Sequence, residues 1–333
     1  MNILEAQAPQ QHKRRFPTAK RAPLHPLGTC RAMAQLIFLP QRYRPSEALP
    51  MSSPNWADFL APNPQAQFIW FGHSSLLAQM QGQKIFFDPV FARYASPIPI
   101  MAKRFQAAPA PLKALPPMDW IVISHNHYDH LDRHAIGFFA RQKQCRFAVP
   151  LGLGKWFAQC GVSKARIQEL DWWQFLDVSD AVRLHALPSL HYSGRHLFDG
   201  NRSLCCSYAL CDAQEKFYFS GDSFYGGGAH FAAIGQKFGG FDVAFIENGQ
   251  YHAAWRDNHM QPQDSVKAAL DLQARRLMPI HWGAYALSPH AWNAPVIASS
   301  AEAQRAGVDM LTPLIGEVFS AHSPSRSWWR DKE

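Results

Sequence analysis

Ser124-His125-Asn126-His127-Tyr128-Asp129-His130-Leu131-Asp132 is the stretch on which the reading of the fold turns. Three imidazoles and two carboxylates fall within eight residues, directly after the apolar run Trp120-Ile121-Val122-Ile123. That run is short and β-branched, so it reads as a buried strand rather than a helix. Imidazole and carboxylate together are the donor set that suits zinc and its first-row neighbours. A strand that ends in such a cluster presents a site at its tip.

Outward from the cluster, the same arrangement recurs. Phe68-Ile69-Trp70-Phe71, Leu76 to Met80 and Lys84 to Phe87 read as an antiparallel meander, broken at Gly72-His73-Ser74-Ser75 and ending at Asp88. His73 is expected to be structural. Residues 95–118 are proline-rich and aperiodic, which predicts a long irregular loop. Helices are expected over His134–Gln142, Gly152–Cys160 and Gln261–Gln273, and strands at Phe147–Pro150, Val182–Leu187, Cys205–Leu210, Lys216–Phe219, Phe241–Ile246 and Arg276–Ile280. Three of these strands are followed by ligand-type side chains: His191, Asp222 and His281. Loops leaving one edge of a sheet converge, so a layered α/β protein would gather these groups into one site.

Composition narrows the class. The chain has 333 residues, 47% of them hydrophobic, which provides for a sizeable core. Its formal charge of +8 is concentrated at the start, where Lys13, Arg14, Arg15, Lys20, Arg21, Arg31, Arg42 and Arg44 face a single acid, Glu5. Residues 1–65 therefore read as a basic, proline-rich arm on a domain spanning 66–333, with Arg31–Pro40 a short amphipathic helix. Such an arm favours anionic surfaces and makes peripheral contact with phospholipid an expectation. Basic residues thin out after residue 45, so nucleic acid is not the favoured partner. No run approaches the ~18 apolar residues of a spanning helix, and no secretory pattern opens the chain. The six cysteines (Cys30, Cys145, Cys160, Cys205, Cys206, Cys211) form no CxxC pair, so reduced thiols and a cytoplasmic setting are expected.

On an extended backbone alternate residues face one way, so His125 and His127 can hold one ion together. Asp129 and His130, after the turn, are offset toward a second. His191 would complete the first set and His281 the second, with Asp222 bridging. Singly, His191 and His281 read equally well as hydrogen-bonded core histidines, and Asp222 after Ser220-Gly221 suits a turn.

The HxHxDH form of residues 125–130, followed in order by His191, Ser220-Gly221-Asp222 and Pro279-Ile280-His281-Trp282-Gly283, resembles the metallo-β-lactamase superfamily. That resemblance implies a four-layer αββα sandwich of the α/β class with two divalent metal ions, zinc by expectation, at one edge. It implies His125, His127 and His191 on one ion, Asp129, His130 and His281 on the other, and Asp222 between them. Asp88 matches the aspartate that supports the ligand loop. Arg15-Phe16-Pro17-Thr18, Phe71 to Ser75, Val149-Pro150-Leu151-Gly152 and His259-Met260 with Pro262 are similar to the family of N-acyl-phosphatidylethanolamine-hydrolysing phospholipases D. This likeness implies a zinc-dependent phosphodiesterase that cleaves phospholipid by attack of a metal-activated water on phosphorus, and a homodimer. Catalytic roles would fall to Asp129, Asp222 and His259. Tyr128, Glu247, Gln250, Tyr251 and Trp282 are the candidate substrate-binding residues, Glu247-Asn248-Gly249-Gln250-Tyr251 being a departure from the phospholipase pattern. Trp328 and Trp329 are expected as exposed aromatics facing lipid. The alternatives are a hydrolase of a soluble lactone or small ester and, with less support, a nuclease; a non-catalytic metal binder would lack ligands, and none is missing.

Overall fold

The computed structural model describes residues 15–16, 25–98, 101–196 and 198–330. Lys13, Arg14, Lys20 and Arg21 of the basic arm lie outside the described residues. Helices α1 (Pro26–Phe38) and α2 (Trp56–Leu60) lead into β1 (Gln67–Trp70), β2 (Leu76–Met80) and β3 (Gln83–Phe87), the expected antiparallel meander. β3 pairs in parallel with β4 (Trp120–Val122), β4 with β5 (Arg146–Pro150) and β5 with β6 (Ile167–Leu170). Between them lie α3 (Arg133–Ala140) and α4 (Gly154–Gln159).

The second sheet takes β7 (Phe175–Asp177), β8 (Arg183–Pro188), β9 (Cys206–Cys211), β10 (Lys216–Phe219), β11 (Phe241–Glu247), β12 (Ala274–Ile280) and β13 (Asp309–Met310). Helices α5 (Ala229–Phe238), α6 (Pro262–Asp271) and α7 (Ala294–Ala306) connect its later strands, and β14 (Val318–Phe319) crosses back to pair with β1. Among the described residues each sheet has seven strands.

Both faces of each central strand are buried, and period-two alternation divides them. Phe68, Trp70, Ile85, Phe87 and Val122 meet Phe217, Phe219, Val243, Phe245 and Ile280 between the sheets. Their neighbours Ile69, Phe86 and Ile121 face α3 and α4 with Ile136, Phe139 and Phe157. Tyr218, Ala244, Ile246 and Leu277 face α5 and α6 with Phe231, Ile234 and Val266. The result is the αββα order of layers.

Helix ends follow local chemistry more closely than periodicity alone. α1 begins five residues before the expected Arg31, at Pro26, because proline suits the first helical position and the His25 ring accepts from Gly28 N at 2.9 Å. α3 begins at Arg133 because the Asp132 side chain accepts from His134 N and Ala135 N. The 101–118 loop is irregular but anchored: the buried Arg104 guanidinium donates to Phe71 O at 2.6 Å and Val90 O at 3.0 Å. Trp328 and Trp329, expected on the surface, are 8% and 2% exposed. They close a tryptophan cluster with Trp70, Trp282 and Trp292, Trp328 stacking on Trp282 at 5.1 Å. The apolar signal was right and its placement wrong, since core and lipid-facing tryptophans look alike in sequence.

A glycine inside α5 gives a test of this packing. In an open helix, Gly→Ala adds stability, but a Cβ on Gly235 would lie 2.3 Å from Asp271 O and 2.8 Å from Leu272 Cα. Gly235→Ala is therefore expected to destabilise by about 1–3 kcal/mol through overpacking. A denaturant titration reads it, and a stabilised variant would contradict this packing of α5 on the end of α6.

Candidate metal centre

The ligand-type residues stand beyond strands that run the same way. β3 and β4 are parallel, as are β10, β11 and β12, while β8 and β1 are each two antiparallel steps away from a member of those sets. His73, Asp88, His125, His191, Asp222, Glu247 and His281 consequently gather at one edge of the sandwich. The two sheets approach closely there: a Cβ on Gly221, whose φ is +54°, would lie 2.5 Å from Ser124 Cβ. Only glycine fits that position.

The side chains form two sets that share one carboxylate. In the first, His127 Nδ1 lies 2.9 Å from His125 Nε2 and 3.1 Å from His191 Nε2. Asp222 Oδ2 faces that set, 3.7 Å from His125 Nε2 and 3.6 Å from His191 Nε2. In the second, Asp222 Oδ1 is 3.1 Å from His130 Nε2 and 3.3 Å from His281 Nε2. Asp129 Oδ2 is 3.4 Å and 3.3 Å from the same two nitrogens. Ligands ~2.0–2.1 Å from a tetrahedral ion sit about 3.3 Å apart, so these spacings suit a small divalent cation in each set.

Burial supports the same fit. Asp222 is 2% exposed, yet neither of its oxygens accepts a hydrogen bond among the described residues. A buried carboxylate in that condition is stable only against positive charge. His130 supplies it here. Burial pulls the imidazole pKa down, but Asp222 and Asp129 outweigh it and hold His130 well above the ordinary histidine value. Burial would raise Asp222, and His130 with His281 instead brings it well below the carboxylate range. His127 is pushed down to about 4 by burial, and His125 well below its usual value by burial with His130 and His127 beside it. With their pKa values lowered, His125 and His127 are neutral at pH 7 and offer lone pairs. Loading His130 Nε2 with a cation requires its proton to leave, so affinity in the second set rises with pH.

Around the ligands stands a layer that orients them. Asp88 accepts from Ser124 N at 2.7 Å and Ser124 Oγ at 2.5 Å, and its Oδ2 meets His130 Nδ1 at 2.7 Å. With Nδ1 so engaged, His130 presents Nε2 inward. The Arg195 guanidinium donates to Asn126 O at 2.9 Å and Leu131 O at 2.7 Å, clasping the ligand loop, and lies 3.9 Å over the Tyr128 ring. Tyr128 itself borders a cavity of about 280 Å³ with Arg195 and Trp156.

Several candidate substrate residues prove to be supports. Glu247 is fully buried; it accepts from Ser223 N and meets His259 Nδ1 at 2.9 Å, so it holds His259 and does not line a pocket. Burial lowers the His259 pKa, but Glu247 outweighs it and the net shift is upward. His259 Nδ1 also lies 3.8 Å from Asp222 Oδ2. Gln250 is 3% exposed and braces the His281 loop, donating to His281 O and Tyr285 O and accepting from Leu287 N. Tyr251 stacks on His290 at 4.8 Å. Trp282 is 1% exposed inside the tryptophan cluster. The Glu247–Tyr251 segment ends a core strand, and burial of its polar groups depends on partners remote in sequence. The residue that reasoning from sequence undervalued is His73, whose Nε2 lies 2.9 Å from Asp129 Oδ2. The signal was present, for His73 follows a strand as the ligands do.

Comparisons with known proteins agree with this geometry. A profile of the Beta-lactamase superfamily domain matches residues 83–282. An uncharacterized protein of Mycobacterium tuberculosis is 36% identical over 89% of this chain and 80% of its own. N-acyl-phosphatidylethanolamine-hydrolyzing phospholipase D 1 of Caenorhabditis elegans is 34% identical over 65% of this chain and 63% of its own length. Among solved structures, the metallo hydrolase Igni18 of Ignicoccus hospitalis superposes with a TM-score of 0.58 at 17% identity, covering 77% of this chain and 97% of its own.

Proposed function

The chain belongs to the metallo-β-lactamase superfamily of metal-dependent hydrolases, and from that premise we propose that it is a dinuclear zinc phosphodiesterase acting on N-acylphosphatidylethanolamine-like phospholipids. One observation carries the two-ion part of this reading: the two oxygens of a single buried carboxylate, Asp222, each face a separate set of ligands. Two divalent ions in these sets would supply a water of lowered pKa and positive charge against phosphate oxygens.

The chain's own groups do the rest. Asp129, His130 and His281 with Asp222 Oδ1, and His125, His127 and His191 with Asp222 Oδ2, would hold the ions. His259, its Nδ1 engaged by Glu247, has Nε2 left to present to substrate. As water oxygen joins phosphorus, the phosphorus–oxygen bond to the N-acylethanolamine breaks; the imidazolium form of His259 gives that leaving oxygen its Nε2 proton, and the proton released by the water restores it. The products are phosphatidic acid and an N-acylethanolamine.

A lipid substrate is supported by two cavities that combine apolar and cationic side chains. One cavity of about 230 Å³ lies between α1 and the Ala95, Ser96 and Met101–Lys103 segments, where Met33, Leu36, Ile37 and Met101 meet Arg44 and Lys103. A larger groove of about 750 Å³ combines Phe91, Phe105, Leu112 and Phe138 with Arg93 and Lys113. Apolar walls with cationic rims suit acyl chains under an anionic head, not a small polar lactone. On α1, Leu27 and Phe38 are 79% and 78% exposed beside the exposed Arg31, which supports peripheral contact with a phospholipid surface. Among the described residues no helix is long and apolar enough to cross a membrane.

The test is turnover by zinc-loaded protein of N-acylphosphatidylethanolamine in mixed micelles, beside bis(p-nitrophenyl)phosphate and a lactone panel. Release of N-acylethanolamine is the expected result. Turnover of lactones alone would sink the phospholipase reading and leave a metallohydrolase of soluble substrates.

A further inference from the structure

His73 is fully buried, and its contacts concentrate on one of the two ligand sets. Its Nε2 lies 2.9 Å from Asp129 Oδ2, the same oxygen that faces His130 and His281. Its ring packs on the His281 ring at 4.2 Å. Its backbone is tied to the same loop: His73 N donates to Trp282 O at 2.7 Å, and His73 O accepts from His281 N at 3.0 Å and from Trp70 Nε1 at 2.8 Å. Its other ring contacts fall on His130 at 5.7 Å, in the same set, and on Tyr285 at 5.4 Å.

The backbone adds a second, independent observation. His73 and His281 both adopt left-handed conformations, with φ of 54° and 68°. Such a backbone is unfavourable for a non-glycine residue and persists only where its surroundings over-determine it. Here the two strained residues hydrogen-bond each other, so the strain is spent on fixing one against the other.

We propose that His73 is the positioning residue of the second ligand set: it donates from Nε2 to Asp129 Oδ2 and fixes His281 through the backbone, so that cation affinity in that set, and not in the first, depends on it. The proposal rests on the two-ion reading above. It assigns His73 no contact with substrate. Neutral donation to Asp129 leaves that carboxylate its full charge for a cation while removing its rotational freedom.

The test is stepwise zinc titration of metal-free protein by calorimetry, with elemental analysis, for wild type, His73→Asn and His73→Gln. Asparagine tolerates a left-handed backbone, so His73→Asn removes the reach of the side chain without adding strain. Glutamine places an N–H near the imidazole Nε2 position, and Gln81, Gln250 and Gln273 already adopt φ of 48°, 59° and 55° in this protein. For His73→Asn the second binding step is expected to weaken about 10–100-fold, as for other groups that orient metal ligands, with the first step unchanged. His73→Gln should recover part of that loss. Equal weakening of both steps together with a lower melting temperature of the metal-free protein would make His73 merely structural and overturn the proposal. So would an unchanged second step, or a glutamine variant no better than asparagine. A single binding step in wild type would instead overturn the two-ion reading, and this role with it.

Discussion

Asp222→Asn is expected to lower kcat/KM by at least about 10³-fold, a loss of ~4 kcal/mol in transition-state stabilisation. The side chain keeps its volume, so the loops after β8, β10 and β12 can pack as before. What changes is charge. One carboxylate oxygen becomes an amide nitrogen that cannot ligate, and the remaining oxygen can serve only one of the two sets it now faces at 3.1 Å and 3.6 Å. The metal-free variant should still unfold cooperatively, at a temperature lowered by the loss of the Asp222 charge 3.1 Å from His130. The stabilisation that zinc adds to wild type should shrink, since a ligand that binds only the native state raises stability in proportion to its affinity. Kinetics beside melting curves with and without zinc separate these effects. Wild-type turnover in this variant would refute the shared carboxylate.

For Asp88→Ala the expected result is loss of stability first and activity as a consequence. Asp88 is fully buried and serves three donors: Ser124 N, Ser124 Oγ and His130 Nδ1. Removing it leaves the His130 charge without its partner on that side, and breaking a buried pair in this way costs about 3–5 kcal/mol. Alanine at a φ of 40° adds strain that aspartate tolerates better. A fall of roughly 4–7 °C in melting temperature follows for a protein of this size. Asp88→Asn keeps the volume and tolerates the backbone, so it should melt closer to wild type while losing about 10–100-fold in metal affinity. An alanine variant that melts like wild type would mean that Asp88 does not anchor the ligand loop.

These two residues also show which parts of the site were legible in sequence. His125, His127, His130, Asp222 and His281 stand directly after apolar runs, and short core strands are the elements that period-two patterning identifies best. Their convergence follows from strand direction, which the ligand positions imply. Glu247, Gln250 and Trp282 occupy the same kind of position, yet they face supports, because facing is decided by partners tens of residues away. Glu247 is turned inward by Ser223 and His259, and Gln250 by Tyr285 and Leu287. His73 was discounted as a lone histidine after a strand, although the backbone bonds that tie it to His281 cross more than 200 residues of chain. In the fold, α2, α5, α7, β6, β7, β13 and β14 escaped notice. α7 has only Pro295, Val296, Ser299 and Ala303 buried, a stripe too small and polar to register as amphipathic, and β13 and β14 are two residues each.

The most direct measurement of the central claim is anomalous diffraction at the zinc edge from crystals of the zinc-loaded protein. The account predicts two peaks on either side of the Asp222 carboxylate, ~3.5–4 Å apart, one among His125, His127 and His191 and the other among Asp129, His130 and His281. A single peak, or a pair that does not share Asp222, would contradict it.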